Sequence, residues 1–167
     1  MKWVFATNQG SLEKSNNEYP RLIRAAVSSA IENTTLQPYM IYDGAETAFT
    51  REMQSCGVTI VKHRLSFYEF IKKYQEQNLP GNWRYLQTAT SAFLRVDLPL
   101  LFKRDDFLLY TDCDIIFLRD PQLEMVRPEY FSCAPERVRG DRVHFNSGVM
   151  VMNLKALAAN HAVFVNI

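Results

Sequence analysis

The sequence predicts an α/β fold built on a mostly parallel sheet flanked by helices. Short apolar runs alternate with segments of helical period through the first sixty residues, which is the β-α-β-α-β signature of parallel strands joined by right-handed crossovers. An apolar and aromatic run, Phe107–Tyr110 with the β-branched Thr111, ends on two aspartates, Asp112 and Asp114. In sheets of this kind ligands bind beyond the carboxyl ends of the strands. The fold class therefore already points to a place for a site.

Element by element, Lys2–Thr7 reads as a buried strand opening into a polar loop over Asn8–Asn17. Tyr19–Asn33 is helical, with Leu22, Ile23, Ala26, Val27, Ala30 and Ile31 on one face and Pro20 tolerated in the first turn. Pro38–Tyr42 is a second strand, closed by the turn signal Asp43-Gly44. Thr47–Cys56 is a helix stopped by Gly57, and Val58–Lys62 a third strand. Phe67–Gln77 reads as a helix, and Pro80-Gly81-Asn82 breaks the pattern. Tyr85–Leu98 resumes as a helix that Pro99 interrupts near its end. Phe107–Thr111, Tyr130–Ala134 and Gly148–Met152 read as strands, and Leu154–Phe164 as a closing helix. No repeat, low-complexity segment or linker divides residues 1–167, which read as a single domain.

Composition excludes several function classes. A formal charge of +1 gives no electrostatic footprint for nucleic acid or an acidic membrane surface. Three cysteines without C-x-x-C spacing (Cys56, Cys113, Cys133) read as reduced thiols, neither a disulfide framework nor a zinc site. No transmembrane run is present and the first apolar stretch is too short for a signal peptide, so the expected location is the cytoplasm.

Three segments carry chemistry. In Leu108–Asp120 (LLYTDCDIIFLRD), strand alternation brings the i and i+2 carboxylates of Asp112 and Asp114 to one side. Two adjacent carboxylates need a positive partner, and a hard divalent cation shared with a diphosphate supplies one. Phosphatases of the haloacid dehalogenase type use the same D-x-D spacing, with an Asp nucleophile and an Asp acid. They usually carry it on the first strand, whereas here it lies two thirds along and is followed by Ile115-Ile116-Phe117. In His144–Leu154 (HFNSGVMVMNL), Asn146-Ser147-Gly148 reads as a polar turn whose glycine permits close backbone approach to a ligand. In Ser91–Pro99 (SAFLRVDLP), the Arg95 guanidinium is placed to pair with Asp112, Asp114 or a phosphate.

In this order, SAFLRVDLPLLF, LLYTDCDIIFLRD and FNSGVMVMNLK, covering about Ser91 to Lys155, resemble glycosyltransferase family 8. The opening VFATN is similar to that family's first strand and base-binding loop. The resemblance implies a GT-A, Rossmann-like fold and retaining transfer of a hexose from a UDP-sugar to a carbohydrate or glycoconjugate. It implies that Asp112 and Asp114 hold Mn²⁺ (or Mg²⁺) across the donor diphosphate, with Arg95 and Asn146 against phosphate or sugar. Ala6, Thr7 and Asn8 are implied to contact base and ribose, and Cys113, Ser147 and Gly148 to complete the donor contacts. Retention in such sites is described as front-face attack, in which the departing phosphate helps to deprotonate the acceptor. Glu136 stands where a sugar-contacting acid is often found, without a motif of its own.

One departure matters. The family's third metal ligand, a histidine in H-x-x-G-x-x-K-P-W, is absent, and His63, His144 and His161 do not match it. The expectation is a chain carrying the donor half of a site, with metal closure and acceptor elements incomplete. A nucleotide-sugar-binding module without turnover is the alternative of a different class, and phosphatase chemistry a weaker third.

Overall fold

The computed structural model describes residues 1–16, 18–135 and 145–165; Glu136 and His144 lie outside the described residues. The elements run β1 (Lys2–Asn8), α1 (Gln9–Lys14), α2 (Glu18–Asn33), β2 (Gln37–Asp43), α3 (Ala48–Ser55) and β3 (Thr59–Lys62). They continue with α4 (Tyr68–Asn78), α5 (Trp83–Phe93), a 3₁₀ turn (Leu94–Asp97), α6 (Leu98–Leu101) and β4 (Phe107–Thr111). The last are β5 (Phe131–Pro135), β6 (Phe145–Asn153) and α7 (Leu154–Val165). The strand order is β3-β2-β1-β4-β6-β5. β1 pairs in parallel with β2 and β4, and β2 with β3, while β6 runs antiparallel between β4 and β5.

Both faces of the sheet are covered. Alternation along β1 sends Trp3 and Phe5 to the layer under α2 and α3, where Ile23, Ala26, Val27 and Met53 meet them. Val4 and Ala6 face the opposite layer, with Leu86, Leu94, Leu98 and Leu154. Each fully buried large side chain of this kind contributes roughly 1.5–3 kcal/mol. A polar bond also locks the central strands: the indole N–H of Trp3 donates to Thr111 Oγ1 at 2.8 Å, and that hydroxyl donates to the Asp112 carbonyl at 2.8 Å.

Three expectations are corrected. The polar loop expected after Thr7 is instead the end of β1 followed by helix α1. Asn8 caps that helix, its Oδ1 accepting from the Ser11 N–H at 2.7 Å, so turn-forming residues here start a helix. The single helix expected over Tyr85–Leu98 divides into α5, the 3₁₀ turn and α6. Pro99 has no N–H to offer the Arg95 carbonyl, so the Leu98 N–H takes it one residue early and tightens the turn. Pro99 thus sits in the first turn of α6 and does not interrupt a helix. Finally, Asn146-Ser147-Gly148 is not a turn before a strand but lies within β6, which starts at Phe145. The partner register jumps there, from Cys133↔Met150 to Ala134↔Asn146, so the ladder with β5 is irregular at this segment.

Cys56, Cys113 and Cys133 are all free thiols. Among the described residues no helix is long and apolar enough to cross a membrane.

Candidate functional site

Asp112 and Asp114 follow the last residue of β4, at the carboxyl edge of the parallel strands. They line one cavity of about 200 Å³ with Arg95, and α5 contributes Thr88 and Ser91 to its wall. Ala6 and Cys113 belong to the wall, as do Ser11 of α1 and Tyr19 of α2. Between the two aspartates the chain turns Cys113 into the apolar layer beside Trp3 and Phe117, where it is buried. Burial, with the Asp114 and Asp112 carboxylates nearby, pushes its thiol up to about 12. A thiol so placed is no nucleophile near neutral pH.

Arg95 is held from several sides. Its Nε donates to the Ala92 carbonyl at 2.8 Å and its Nη1 to the Ser147 carbonyl at 2.6 Å. Nη2 lies 3.4 Å from Asp112 Oδ1, and the guanidinium sits over the Tyr110 ring at 4.8 Å. The Tyr110 hydroxyl donates to the same Asp112 oxygen at 3.2 Å. Burial first, and then the Asp112 carboxylate, keep that phenol protonated by raising its pKa against the opposing effect of Arg95. The phenol of Tyr19 is also raised, by burial first and by the carboxylates of Asp114, Glu18 and Asp112 nearby.

The β6 segment abuts this arrangement without lining the cavity. The Asp112 N–H donates to the Gly148 carbonyl at 2.8 Å. Asn146 Oδ1 accepts from the Gly148 N–H at 2.7 Å. A Cβ on Gly148 would lie 2.8 Å from both Asn146 Oδ1 and Asp112 Oδ2, so only glycine lets the strand pass the aspartate this closely. Ser147 enters through its backbone carbonyl.

Two of the base-loop candidates also stay outside the cavity wall. Thr7 is buried, and its Oγ1 has no hydrogen-bond partner among the described residues. Asn8 uses its carbonyl oxygen to cap α1, and its amide donates to the Gln87 carbonyl at 2.7 Å and Thr90 Oγ1 at 3.0 Å. Sequence reasoning missed Ser11, Tyr19, Thr88 and Ser91. Thr88, Ser91 and Arg95 recur at helical spacing opposite buried Leu86 and Ala89, a polar stripe that marks α5 as amphipathic toward a cavity. Ser11 and Tyr19 carry no such signal.

His63 and His161 are placed elsewhere: both bind Asp97, His63 Nε2 at 2.8 Å and His161 Nε2 at 3.0 Å. Among the described residues no cluster of three or more His, Cys, Asp or Glu is arranged to hold a metal ion.

No protein-family model and no curated protein matches the chain. Solved structures do resemble it. The galactosyltransferase LgtC, solved with donor and acceptor sugar analogs, superposes with a TM-score of 0.63 at 18% identity, over 95% of this chain and 60% of that one. Mouse xyloside xylosyltransferase 1 gives 0.63 at 15% identity, over 99% of this chain and 71% of that one. The glycosyltransferase GlyE of Streptococcus pneumoniae gives 0.59 at 22% identity, over 95% and 35%. The fold is that of the GT-A glycosyltransferases. This chain spans about three-fifths of the length of LgtC. Within the GT-A frame, the cavity at Asp112 and Asp114 lies where ligands meet a parallel sheet, beyond the ends of β1 and β4.

Proposed function

We propose that this chain carries the donor-binding half of a retaining glycosyltransferase of the family-8 type. In this reading it takes a hexose from a UDP-sugar, with a divalent metal ion between Asp112 and Asp114. The observation that carries the reading is the pair of carboxylates after β4 that share one cavity of a GT-A fold with the Arg95 guanidinium, Asp112 beside it.

The donor set fits Mn²⁺ or Mg²⁺. Both groups are hard oxygen donors, and Asp114 makes no hydrogen bond or ion pair with any described residue. Among the described residues Asp112 pairs through Oδ1 alone, with Tyr110 and Arg95. Among the described residues, Asp112 and Asp114 are the groups that would hold the ion. When bound, the metal supplies Lewis-acid stabilisation to the departing diphosphate.

The chain's own groups do the rest. Arg95, braced on two carbonyls and stacked on Tyr110, presents a fixed cation beside the diphosphate position. Ser11, Tyr19, Thr88 and Ser91 offer hydroxyls to ribose or sugar, and Tyr19 and Tyr110, kept protonated, remain donors. The thiol of Cys113 is disabled by burial, which agrees with front-face transfer without a protein nucleophile.

Titration calorimetry with UDP, with and without Mn²⁺, tests the reading. Binding is expected to need the metal and to vanish in Asp114→Ala; metal-dependent binding that survives this change overturns the assignment. A second reading, a module that holds the donor without turnover, is favoured by the two-carboxylate metal set. Release of UDP from UDP-glucose or UDP-galactose by the wild-type chain argues against it.

A further inference from the structure

A buried ionic knot lies two residues beyond Arg95. Asp97 is fully buried at the end of the 3₁₀ turn. Its Oδ2 accepts from the Ser66 N–H at 2.7 Å and lies 2.8 Å from His63 Nε2. Its Oδ1 accepts from the Ser66 hydroxyl at 2.7 Å and lies 3.0 Å from His161 Nε2. An ionised carboxylate only accepts, so both imidazoles donate from Nε2. No Lys or Arg joins the group among the described residues.

Burying a carboxylate is costly unless its lone pairs are filled, and here two donors meet each oxygen. The bonds join three segments far apart in sequence: the loop after β3, the 3₁₀ turn and α7. The core needs no such group, since Leu94 and Leu98 already anchor this turn in the apolar layer. The turn also carries Arg95, whose guanidinium must meet the Ala92 and Ser147 carbonyls and Asp112 at once. A 3₁₀ turn has poorer hydrogen-bond geometry than an α-helix, so its own backbone bonds hold Arg95 less firmly.

We propose that Asp97, through His63, Ser66 and His161, is a positioning residue for Arg95. It bolts the 3₁₀ turn to α7 and to the β3 loop, so that the guanidinium is preorganised over Tyr110 and beside Asp112. Asp97 touches nothing in the cavity and acts only through Arg95. The inference rests on the glycosyl-transfer reading only for the use to which Arg95 is put, not for its placement.

The test separates the two. Asp97→Asn retains the volume: the amide oxygen can keep the Ser66 N–H, and the amide nitrogen can face the Ser66 hydroxyl and His161, which can both turn acceptor. The Nε–H of Arg95, bonded to the Ala92 carbonyl, is followed by ¹⁵N NMR. In Asp97→Asn its hydrogen exchange is expected to quicken at least fivefold, while β1 amides keep their protection. His161→Gln, which removes a single arm, should give a smaller change in the same direction. Unchanged Arg95 Nε–H exchange in both variants overturns the proposal whether or not UDP binds. Where UDP and Mn²⁺ bind the wild type, a double-mutant cycle adds a second readout. Asp97→Asn should weaken that binding about tenfold in the native background and by less than about twofold in Arg95→Ala. Equal losses in both backgrounds would show a general structural role and also overturn it. Failure of the wild type to bind UDP counts against the glycosyl-transfer reading alone.

Discussion

The Arg95 guanidinium and the Asp112 carboxylate face each other at 3.4 Å, and the same guanidinium donates to the Ser147 carbonyl of the neighbouring strand at 2.6 Å. One side chain thus couples the α5–α6 path, the end of β4 and the irregular part of β6. A lysine cannot replace it, because a single ammonium on a flexible stem cannot serve two carbonyls and a carboxylate while stacking on Tyr110. Arg95→Lys is expected to weaken Mn²⁺-dependent UDP binding tenfold or more, the scale of one or two charge-assisted hydrogen bonds. Calorimetry checks this, and a loss of less than about twofold would remove Arg95 from the site.

Gly148 makes a sharper geometric test. A methyl group there meets Asn146 Oδ1 and Asp112 Oδ2 at 2.8 Å, so both polar groups must move unless the strand itself shifts. Asp112 is anchored at its backbone by the Gly148 carbonyl, which leaves its carboxylate as the part that gives way. Gly148→Ala should therefore fold, and should lower Mn²⁺ affinity, read by electron paramagnetic resonance, at least several-fold. Affinity equal to the wild type would mean that the strand, not the carboxylate, had shifted.

Much of this was legible in the sequence, for identifiable reasons. Phe107–Thr111 was bounded correctly because a buried central strand is uniformly apolar and its end is marked by charge. For Arg95 the sequence leaves Asp112, Asp114 and a phosphate open as partners, and the fold brings it to Asp112. Helix α1 was hidden because Asn8, Gly10 and Ser11 are turn formers; only the geometry shows that Asn8 is a cap. The antiparallel insertion of β6 between β4 and β5 was not legible, since strand order depends on non-local pairing. Nor was the Asp97 knot, because His63, Ser66 and His161 converge on it from segments that share no local pattern.

That knot predicts acid sensitivity of a definite sign. Burial raises the Asp97 pKa, but hydrogen bonds from His63, Ser66 and His161 outweigh it, and the carboxyl ends below its ordinary value. A carboxyl depressed in the folded state contributes stability that is complete above its unfolded pKa, about 3.9. The contribution is lost as pH falls through the folded value. Urea denaturation should therefore show wild type more stable than Asp97→Asn at pH 5, with the gap closing progressively below about pH 4. A gap that instead widened on acidification would mean that Asp97 is protonated in the fold.

Beneath the site, Trp3 and Thr111 bind each other in the apolar core, and both are essentially inaccessible to water. Thr111→Val keeps the shape of the side chain but removes the acceptor for the indole N–H and the donor to the Asp112 carbonyl. A buried donor left without a partner costs roughly 1–3 kcal/mol. The urea midpoint should fall with an unchanged slope, as expected for lost stability without altered compactness. Thr111→Ser preserves the hydroxyl and gives up only a methyl group, so it should recover most of the loss. If serine is no better than valine, packing of the Thr111 side chain rather than its hydrogen bonds stabilises this contact.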